Sequence, residues 1–178
     1  MHGADPDVIE DALLAPGEIG EVCRRSPVVM TGYRNRAEET ATALKGGWLH
    51  TGGMAVRDEE GFFYLLDREK DVIVSGAFNV YPREIEDVIS RCAGVSAVAI
   101  IGVPDDRWGE AVTAFVAARP GEHVDLDEIR KTVREQKGAH QTPQAIHIVD
   151  ELPKTSAGKI DKKALRRPYW GEGTRQIH

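Results

Sequence analysis

Residues 152–161 read LPKTSAGKID, a polar segment that stops a hydrophobic run and places a lysine just before a short helix. Pro153 ends the preceding strand and Gly158 supplies backbone freedom, which predicts an exposed loop with a flexible tip. Asp161 is predicted to cap the helix that begins at the next residue. In such a loop Lys159 is a mobile positive charge on a long stem, suited to reach a phosphate or a carboxylate.

The residues alone leave two interpretations of this loop. In the simpler one, Lys159 is a solvated surface lysine; in the other, it contacts a ligand held outside the loop. A phosphate-binding loop of the Walker type is excluded, because that motif needs glycine where Pro153 stands and serine or threonine where Ile160 stands.

Upstream of the loop, the patterns alternate between strand and helix. The apolar runs at 95–103 and 111–118 are continuous, as in strands that are buried on both faces. Pro82 favours a helix start, and Ile85, Val88 and Ile89 then share one helical face. Further patterns predict a strand at 72–74 with a following loop, a helix at 124–136, a strand at 145–149 and a terminal helix. Together they predict a small α+β domain with a mixed sheet and flanking helices.

The amino-terminal third has a different character. Residues 1–15 are acidic and weakly patterned, and residues 36–44 have the spacing of a short helix. Strand patterns occur at 18–23, 28–30, 48–50, 54–56 and 62–66. The charged residues 67–71 then separate this β-rich region from the α+β domain, as a short interdomain connection does.

Composition narrows the class of protein. The chain has 178 residues and a net charge of −6, which argues against nucleic acid as a partner. No apolar stretch reaches the roughly 20 residues that a membrane span needs, and no export signal is visible. Cys23 and Cys92 stand far apart without a CxxC spacing, and His140 and His147 have no ligand at a metal spacing, so no metal site is predicted. A cytoplasmic location fits best.

Residues 152–165 resemble the carboxy-terminal signature of the adenylate-forming enzymes, the superfamily of acyl-CoA synthetases, peptide-synthetase adenylation domains and luciferases. Residues 75–86, SGAFNVYPREIE, are similar to a loop and helix of acyl-CoA synthetases. Residues 47–52, GWLHTG, and the following 58–64 are similar to the end of their large amino-terminal domain. The chain is thereby identified as the carboxy-terminal portion of a fatty-acid–CoA ligase.

This resemblance implies a domain plan. Residues 1–66 would be the β-rich end of the large amino-terminal domain, and 67–71 the hinge. Residues 72–167 would be the carboxy-terminal domain of an AMP-binding enzyme. The tail at 168–178 has no strong pattern and is predicted to be disordered or loosely packed.

The resemblance also implies roles for single residues. Lys159 would be catalytic, bridging the carboxylate substrate and the nucleotide, and Arg68 would contact the nucleotide ribose. Lys70 would be the pivot of the hinge. After rotation, the residues lining the coenzyme A tunnel would be Ser75, Gly76, Ala77 and Phe78.

The implied reaction joins a fatty acid and ATP to acyl-AMP and pyrophosphate, after which coenzyme A displaces AMP. ATP, Mg²⁺ and coenzyme A are the implied cofactors. The family carries an aspartate that holds the ribose hydroxyls where this chain has Gly53, which predicts weak nucleotide binding. The chain alone is expected to be inactive. It could instead complement a separate amino-terminal domain, form a homo-oligomer, or be a degenerate copy.

Overall fold

The structure is a computed structural model, and it describes residues 13–171. Its contacts divide the chain into two units, Met1–Glu69 and Lys70–His178. This boundary falls within 67–71, although the hinge role of that segment stays a prediction. Within 13–171, every helix falls short of the length and apolar character that crossing a bilayer requires.

The described part of the first unit is a three-stranded antiparallel sheet with one short helix. The strands are β1 (Ile19–Arg24), β2 (Leu49–Arg57) and β3 (Phe63–Arg68), and β2 lies in the middle. Helix α1 (Ala37–Ala43) lies between β1 and β2 in the chain. The β-rich character predicted for this region is therefore present.

This sheet lacks a core of its own in the part of the unit that the structure describes. Between residues 13 and 69, Ala55 alone is a buried hydrophobic residue. Four consecutive large apolar or aromatic side chains, from Phe62 to Leu65, are instead 56–65% exposed. Because a stable sheet normally covers one apolar face, this arrangement indicates that residues 13–69 leave part of its packing surface uncovered.

Three strand predictions in this unit differ from the structure. The predicted strands 48–50 and 54–56 are parts of the single strand β2, apart from Trp48, which precedes it, and the irregular register of β2 conceals its continuity in the sequence. Residues 28–30 form a turn rather than a strand. Strand β3 continues through Arg68, so it takes up the beginning of the predicted linker.

The second unit is built on a five-stranded mixed sheet. Its strands are β4 (Ile73–Ser75), β5 (Phe78–Val80), β6 (Val95–Asp105), β7 (Gly109–Ala118) and β8 (Ala145–Val149). Four follow the order β5-β4-β7-β6 with antiparallel pairing, and β8 pairs with β7 in parallel. The predicted α+β fold with a mixed sheet is confirmed.

Three helices accompany this sheet: α2 (Pro82–Ile89), α3 (Leu126–Lys137) and α4 (Lys162–Trp170). Proline suits the first position of α2, where its missing N–H would have no helical partner. The carboxylate of Asp125 accepts hydrogen bonds from the first turn of α3. Gly138 ends that helix with φ of 88°, a left-handed conformation that favours glycine.

The long strands β6 and β7 are covered on both faces. Alternate residues belong to two separate core clusters, which is why both strands read as continuous apolar runs in the sequence. The larger cluster joins the sheet to α2 and α3. The smaller one consists of Ala99, Ile101, Phe115 and Leu152, with Leu165 of α4 packed against it.

Three details of this unit correct the sequence-based expectations. The predicted strand and loop after residue 71 are a tight β4–β5 hairpin. The segment 104–110 separates the two apolar runs in the sequence, which predicts a loop, but it is mostly strand, with a short turn at 106–108. Residues 168–170 belong to α4 rather than to a loose tail, and Trp170 Nε1 donates a hydrogen bond to the Gly102 carbonyl at 3.0 Å. The rest of the predicted tail, 172–178, lies outside the described residues.

Candidate functional site

The loop that carries Lys159 is closed by hydrogen bonds around Thr155. The Thr155 amide donates to the Lys159 carbonyl at 2.7 Å, and the Lys159 amide donates to Thr155 Oγ1 at 3.3 Å. Gly158 takes φ of 77° and donates its amide to the Thr155 carbonyl at 2.9 Å. The tip is thus a hydrogen-bonded turn, and its flexibility stays a prediction. The side chain of Lys159 is exposed.

Both ends of this loop are fixed to the domain. Before it, Leu152 is buried in the smaller core cluster at 3% exposure. After it, Asp161 donates its amide to the Pro153 carbonyl at 2.8 Å and accepts the Ala164 amide at 3.0 Å. The predicted helix cap at Asp161 is therefore present, and the base of the loop has a defined position.

Helix α4 is joined to the domain by two ion pairs one helical turn apart. Lys162 Nζ lies 2.8 Å from Glu86 Oε1, and the same oxygen accepts the Ile100 amide at 2.7 Å. Arg166 Nη2 lies 2.8 Å from Oδ1 of Asp71, next to the predicted pivot. All four charged side chains are largely buried, so these pairs are screened less by solvent than surface pairs are.

The residues predicted to contact coenzyme A form the tip of the β4–β5 hairpin. Ser75 is buried, Gly76 and Ala77 make the turn, and Phe78 is 53% exposed. The Gly76 amide donates to the Trp108 carbonyl at 2.7 Å. A Cβ at Gly76 would lie 3.2 Å from the Trp108 ring, and φ is 61°, so both space and conformation favour glycine here.

Three side chains that the sequence did not assign to the site surround this hairpin tip. The guanidinium of Arg107 lies 4.7 Å from the ring of Trp108, and His140 stacks on Phe78 with centroids 4.8 Å apart. The Asp105 carboxylate accepts the amides of both Arg107 and Trp108, which fixes their turn. The pairing of Ser75 with Gly109 brings Trp108 beside the hairpin, and His140 comes from the turn after α3. Both placements depend on contacts over long sequence distances, so no local signal in the sequence could have found them.

Arg68 and Gly53 are partners across strands β2 and β3. The predicted ribose contact therefore stands opposite the position where the family's aspartate is missing. The side chain of Arg68 is exposed. Lys70 belongs to a short 3₁₀ turn at Glu69–Asp71 and is also exposed.

The predicted site residues fall into separate groups. Arg68 belongs to the first unit, whereas Lys70, Lys159 and the 75–78 turn belong to the second. Within the second unit, as far as residues 70–171 show, no hydrogen bond, ion pair or ring contact holds the Lys159 ammonium group to the 75–78 turn. Each group is positioned by its own local contacts.

Strands β1 and β2 bring together a polar cluster that the sequence did not predict. Glu21 Oε2 lies 2.7 Å from His50 Nδ1, and Cys23 Sγ lies 3.5 Å from the same nitrogen. Within 13–171, these three side chains are the one group of at least three histidine, cysteine or acidic residues arranged so that they could hold a metal ion. Residues 21 and 50 are too far apart for a motif, so the signal appears only in the strand pairing.

Two comparisons place the chain among known proteins. The family model described as the AMP-binding enzyme C-terminal domain matches residues 84–159. A medium/long-chain-fatty-acid–CoA ligase of Mycobacterium tuberculosis is 45% identical over 168 residues, which are 90% of this chain and 29% of the relative. A feruloyl-CoA synthase of an Amycolatopsis species is 43% identical over 154 residues, which are 86% of this chain and 31% of the relative.

A solved structure agrees with these relatives. The amide bond synthetase McbA from Marinactinospora thermotolerans superposes with a TM-score of 0.81 at 41% identity, covering 89% of this chain and 32% of that one. The chain thus spans about a third of the length of the proteins it matches.

Proposed function

Because the chain belongs to the adenylate-forming enzymes and matches the carboxy-terminal portion of their acyl-CoA synthetases, we propose that it is part of a fatty-acid–CoA ligase. The reaction would join a fatty acid and ATP to acyl-AMP, and then transfer the acyl group to coenzyme A. The observation that carries this proposal is the exposed ammonium of Lys159, presented by a loop whose backbone is hydrogen-bonded at its tip and fixed at its base.

Lys159 would act in the first half of the reaction. Its charge would lie where negative charge develops as the carboxylate attacks the α-phosphate of ATP. Removal of such an electrostatic group costs about 10²–10³ in rate. A side chain that reaches its ligand from outside needs a well-placed backbone and a free end, and the contacts of Thr155 supply the first of these.

The hairpin tip would act in the second half. Rotation at Lys70 would withdraw Lys159 and present residues 75–78 to coenzyme A, a conformational step of the kind that often limits turnover. The small turn held against Trp108 is compatible with close approach of an extended, narrow group. Arg107, above the same ring, supplies positive charge near that position.

Some residues of the chain suit the implied cofactors, and others do not. Lys159 and Arg68 are exposed cations suited to phosphate, carboxylate or hydroxyl oxygens. Gly53 offers no carboxylate to the ribose hydroxyls, so nucleotide affinity would be lower than in relatives that carry aspartate there. We assign no Mg²⁺ ligand to this chain.

A chimera tests the proposal directly. The carboxy-terminal third of a fatty-acid–CoA ligase would be replaced by the full 178-residue chain, and formation of acyl-CoA would be followed with acids of several lengths and with ferulate. We expect thioester formation that depends on Lys159, and no ATP–pyrophosphate exchange by the chain alone. Exchange by the isolated chain would contradict its proposed dependence on a larger domain, and a folded, inactive chimera would contradict the ligase assignment.

A second candidate, a complementing subunit, is favoured by the exposed residues 62–65. Such a surface fits docking onto a separate amino-terminal domain or onto a second copy of the chain. Mass in solution, alone and with a co-expressed amino-terminal domain of a relative, separates these possibilities. A stable complex with Lys159-dependent thioester formation would support the complementing role, whereas a monomer that never binds that domain would exclude it.

A further inference from the structure

The cluster of Glu21, Cys23 and His50 lies on the first unit's sheet and takes no part in the proposed reaction. We propose that these three side chains form a binding site for a borderline-soft divalent ion of the Zn²⁺ type. The proposal rests on the geometry of strands β1 and β2 and is independent of the ligase function.

An irregular register between the two strands creates the cluster. Cys23 is paired with His50, but Glu21, two residues earlier, is paired with Met54 rather than with the residue two positions beyond His50. The extra residues of β2 form a bulge that includes Gly52, which has φ of 65°. The bulge leaves the carboxylate of Glu21 beside the imidazole, so three potential ligands converge from two strands.

The distances between the ligand atoms are close to those of a metal site. Around a tetrahedral Zn²⁺, with bonds of about 2.3 Å to sulfur and 2.0–2.1 Å to nitrogen or oxygen, neighbouring ligand atoms lie about 3.3–3.6 Å apart. Cys23 Sγ lies 3.5 Å from His50 Nδ1 and 3.7 Å from Glu21 Oε2. The remaining pair, Glu21 Oε2 and His50 Nδ1, is 2.7 Å apart, the separation of two groups that share a proton. A bound ion would take the place of the proton between Glu21 Oε2 and His50 Nδ1 and move these two atoms farther apart.

The surroundings hold the carboxylate in a binding orientation. The amide of Gly52 donates to Glu21 Oε1 at 2.6 Å, which leaves Oε2 directed at the other two ligands. Outer contacts of this kind are what fix the ligands of metal sites. The side chains of His50 and Glu21 are only 18% and 22% exposed, so competition from water is reduced.

The donor set defines the class of ion. Thiolate and imidazole favour Zn²⁺ and similar transition ions, whereas Mg²⁺ and Ca²⁺ prefer oxygen ligands throughout. Binding would release the thiol proton of Cys23 to the buffer, and His50 would bind through Nδ1 as the neutral imidazole that carries its proton on Nε2. Three protein ligands would leave a fourth position for water. A plain Glu21–His50 ion pair is the competing interpretation, and it assigns no role to the thiol.

Cobalt spectroscopy on the untagged full chain, kept reduced, distinguishes these interpretations. Addition of Co²⁺ is expected to give a near-ultraviolet thiolate-to-metal charge-transfer band that saturates and that Zn²⁺ abolishes. Cys23→Ser should lose the band, and Glu21→Gln should weaken binding at least about tenfold. Cys92→Ser, the matched cysteine control, should keep it. A wild-type chain without the band, or a band that survives in Cys23→Ser, overturns the proposal.

A second measurement uses the wild-type chain, so it does not depend on the folding of any variant. Alkylation of each cysteine is followed by peptide mass with and without Zn²⁺. At a free Zn²⁺ concentration about tenfold above Kd, the alkylation rate of Cys23 should fall about tenfold, because only the unoccupied fraction reacts. The rate at Cys92 should stay the same. An unchanged rate at Cys23 overturns the proposal.

Discussion

Arg166 Nη2 lies 2.8 Å from Asp71 Oδ1, although the two residues are 95 positions apart in the sequence. The pair joins the last helix, which follows the Lys159 loop, to the residue after the predicted pivot. Both side chains are largely buried, at 13% and 14% exposure. The contact therefore joins the helix after the Lys159 loop to the first residues of the second unit.

Removal of this contact should destabilise the second unit measurably. Asp71→Ala leaves the guanidinium of Arg166 without its carboxylate, and we expect a loss of about 1.5–3 kcal/mol in the free energy of unfolding. Urea denaturation gives the value. Glu122→Ala is the matched control, because its partner Arg119 is 3.8 Å away and both side chains are about half exposed. That control should cost less than about 1 kcal/mol, and equal losses in the two variants would contradict the structural role of the Asp71 pair.

Lys159 is expected to matter for catalysis and hardly at all for stability. In the chimera, Lys159→Ala should lower the rate of acyl-adenylate formation by about 10²–10³. Thermal unfolding should be unchanged, since the side chain is exposed. Lys163→Ala, another exposed lysine on the adjacent helix, should leave both quantities unchanged. If Lys159→Ala lowers this rate by less than about threefold, Lys159 is a solvated surface lysine without a catalytic role.

The acid sensitivity of the β2–β3 turn follows from Asp58. Desolvation acts to raise the pKa of Asp58, but hydrogen bonds from the Phe62 amide, the Tyr64 hydroxyl and the amides of Gly61 and Glu60 together outweigh it and lower the pKa below 3.8. Because the folded pKa lies below the unfolded one, Asp58 contributes stability above pH 3.8 that is lost as the pH falls through the folded value. Asp58→Asn should flatten the dependence of stability on pH over that interval. Urea unfolding between pH 5 and pH 2 measures it, and parallel curves for both proteins would refute the assignment.

The sequence predicted the elements whose causes are local. The long runs of β6 and β7 are apolar because both faces of those strands are covered, and the helix start at Pro82 follows from proline chemistry. The loop that carries Lys159 could be predicted because a proline ends the preceding strand, a glycine lies next to the lysine and an aspartate caps the following helix. These features need only a few neighbouring residues.

Features that depend on pairing over long distances were missed. The register irregularity between β1 and β2 decides that Glu21 meets His50, and nothing near either residue indicates it. The sequence predicts that the terminal helix stops before Pro168, but α4 continues through it to Trp170. The hydrogen bond from Trp170 to the Gly102 carbonyl stabilises this last turn. Tertiary contacts overrode the local preference in each case.

Gly53 offers the sharpest test of nucleotide binding by the chimera. Gly53 carries no left-handed strain, and a Cβ there would meet only Thr51 Oγ1, at 3.3 Å, so a side chain can be accommodated. Gly53→Asp would supply the carboxylate that the ribose hydroxyls lack, and we expect AMP to bind about 10–100-fold more tightly in calorimetry, as for a charged hydrogen bond. Gly52→Asp adds the same charge one residue earlier, but φ of 65° makes it strained, so it should destabilise the fold without improving affinity. If both variants bind AMP as weakly as the parent, the missing carboxylate is not what limits nucleotide binding.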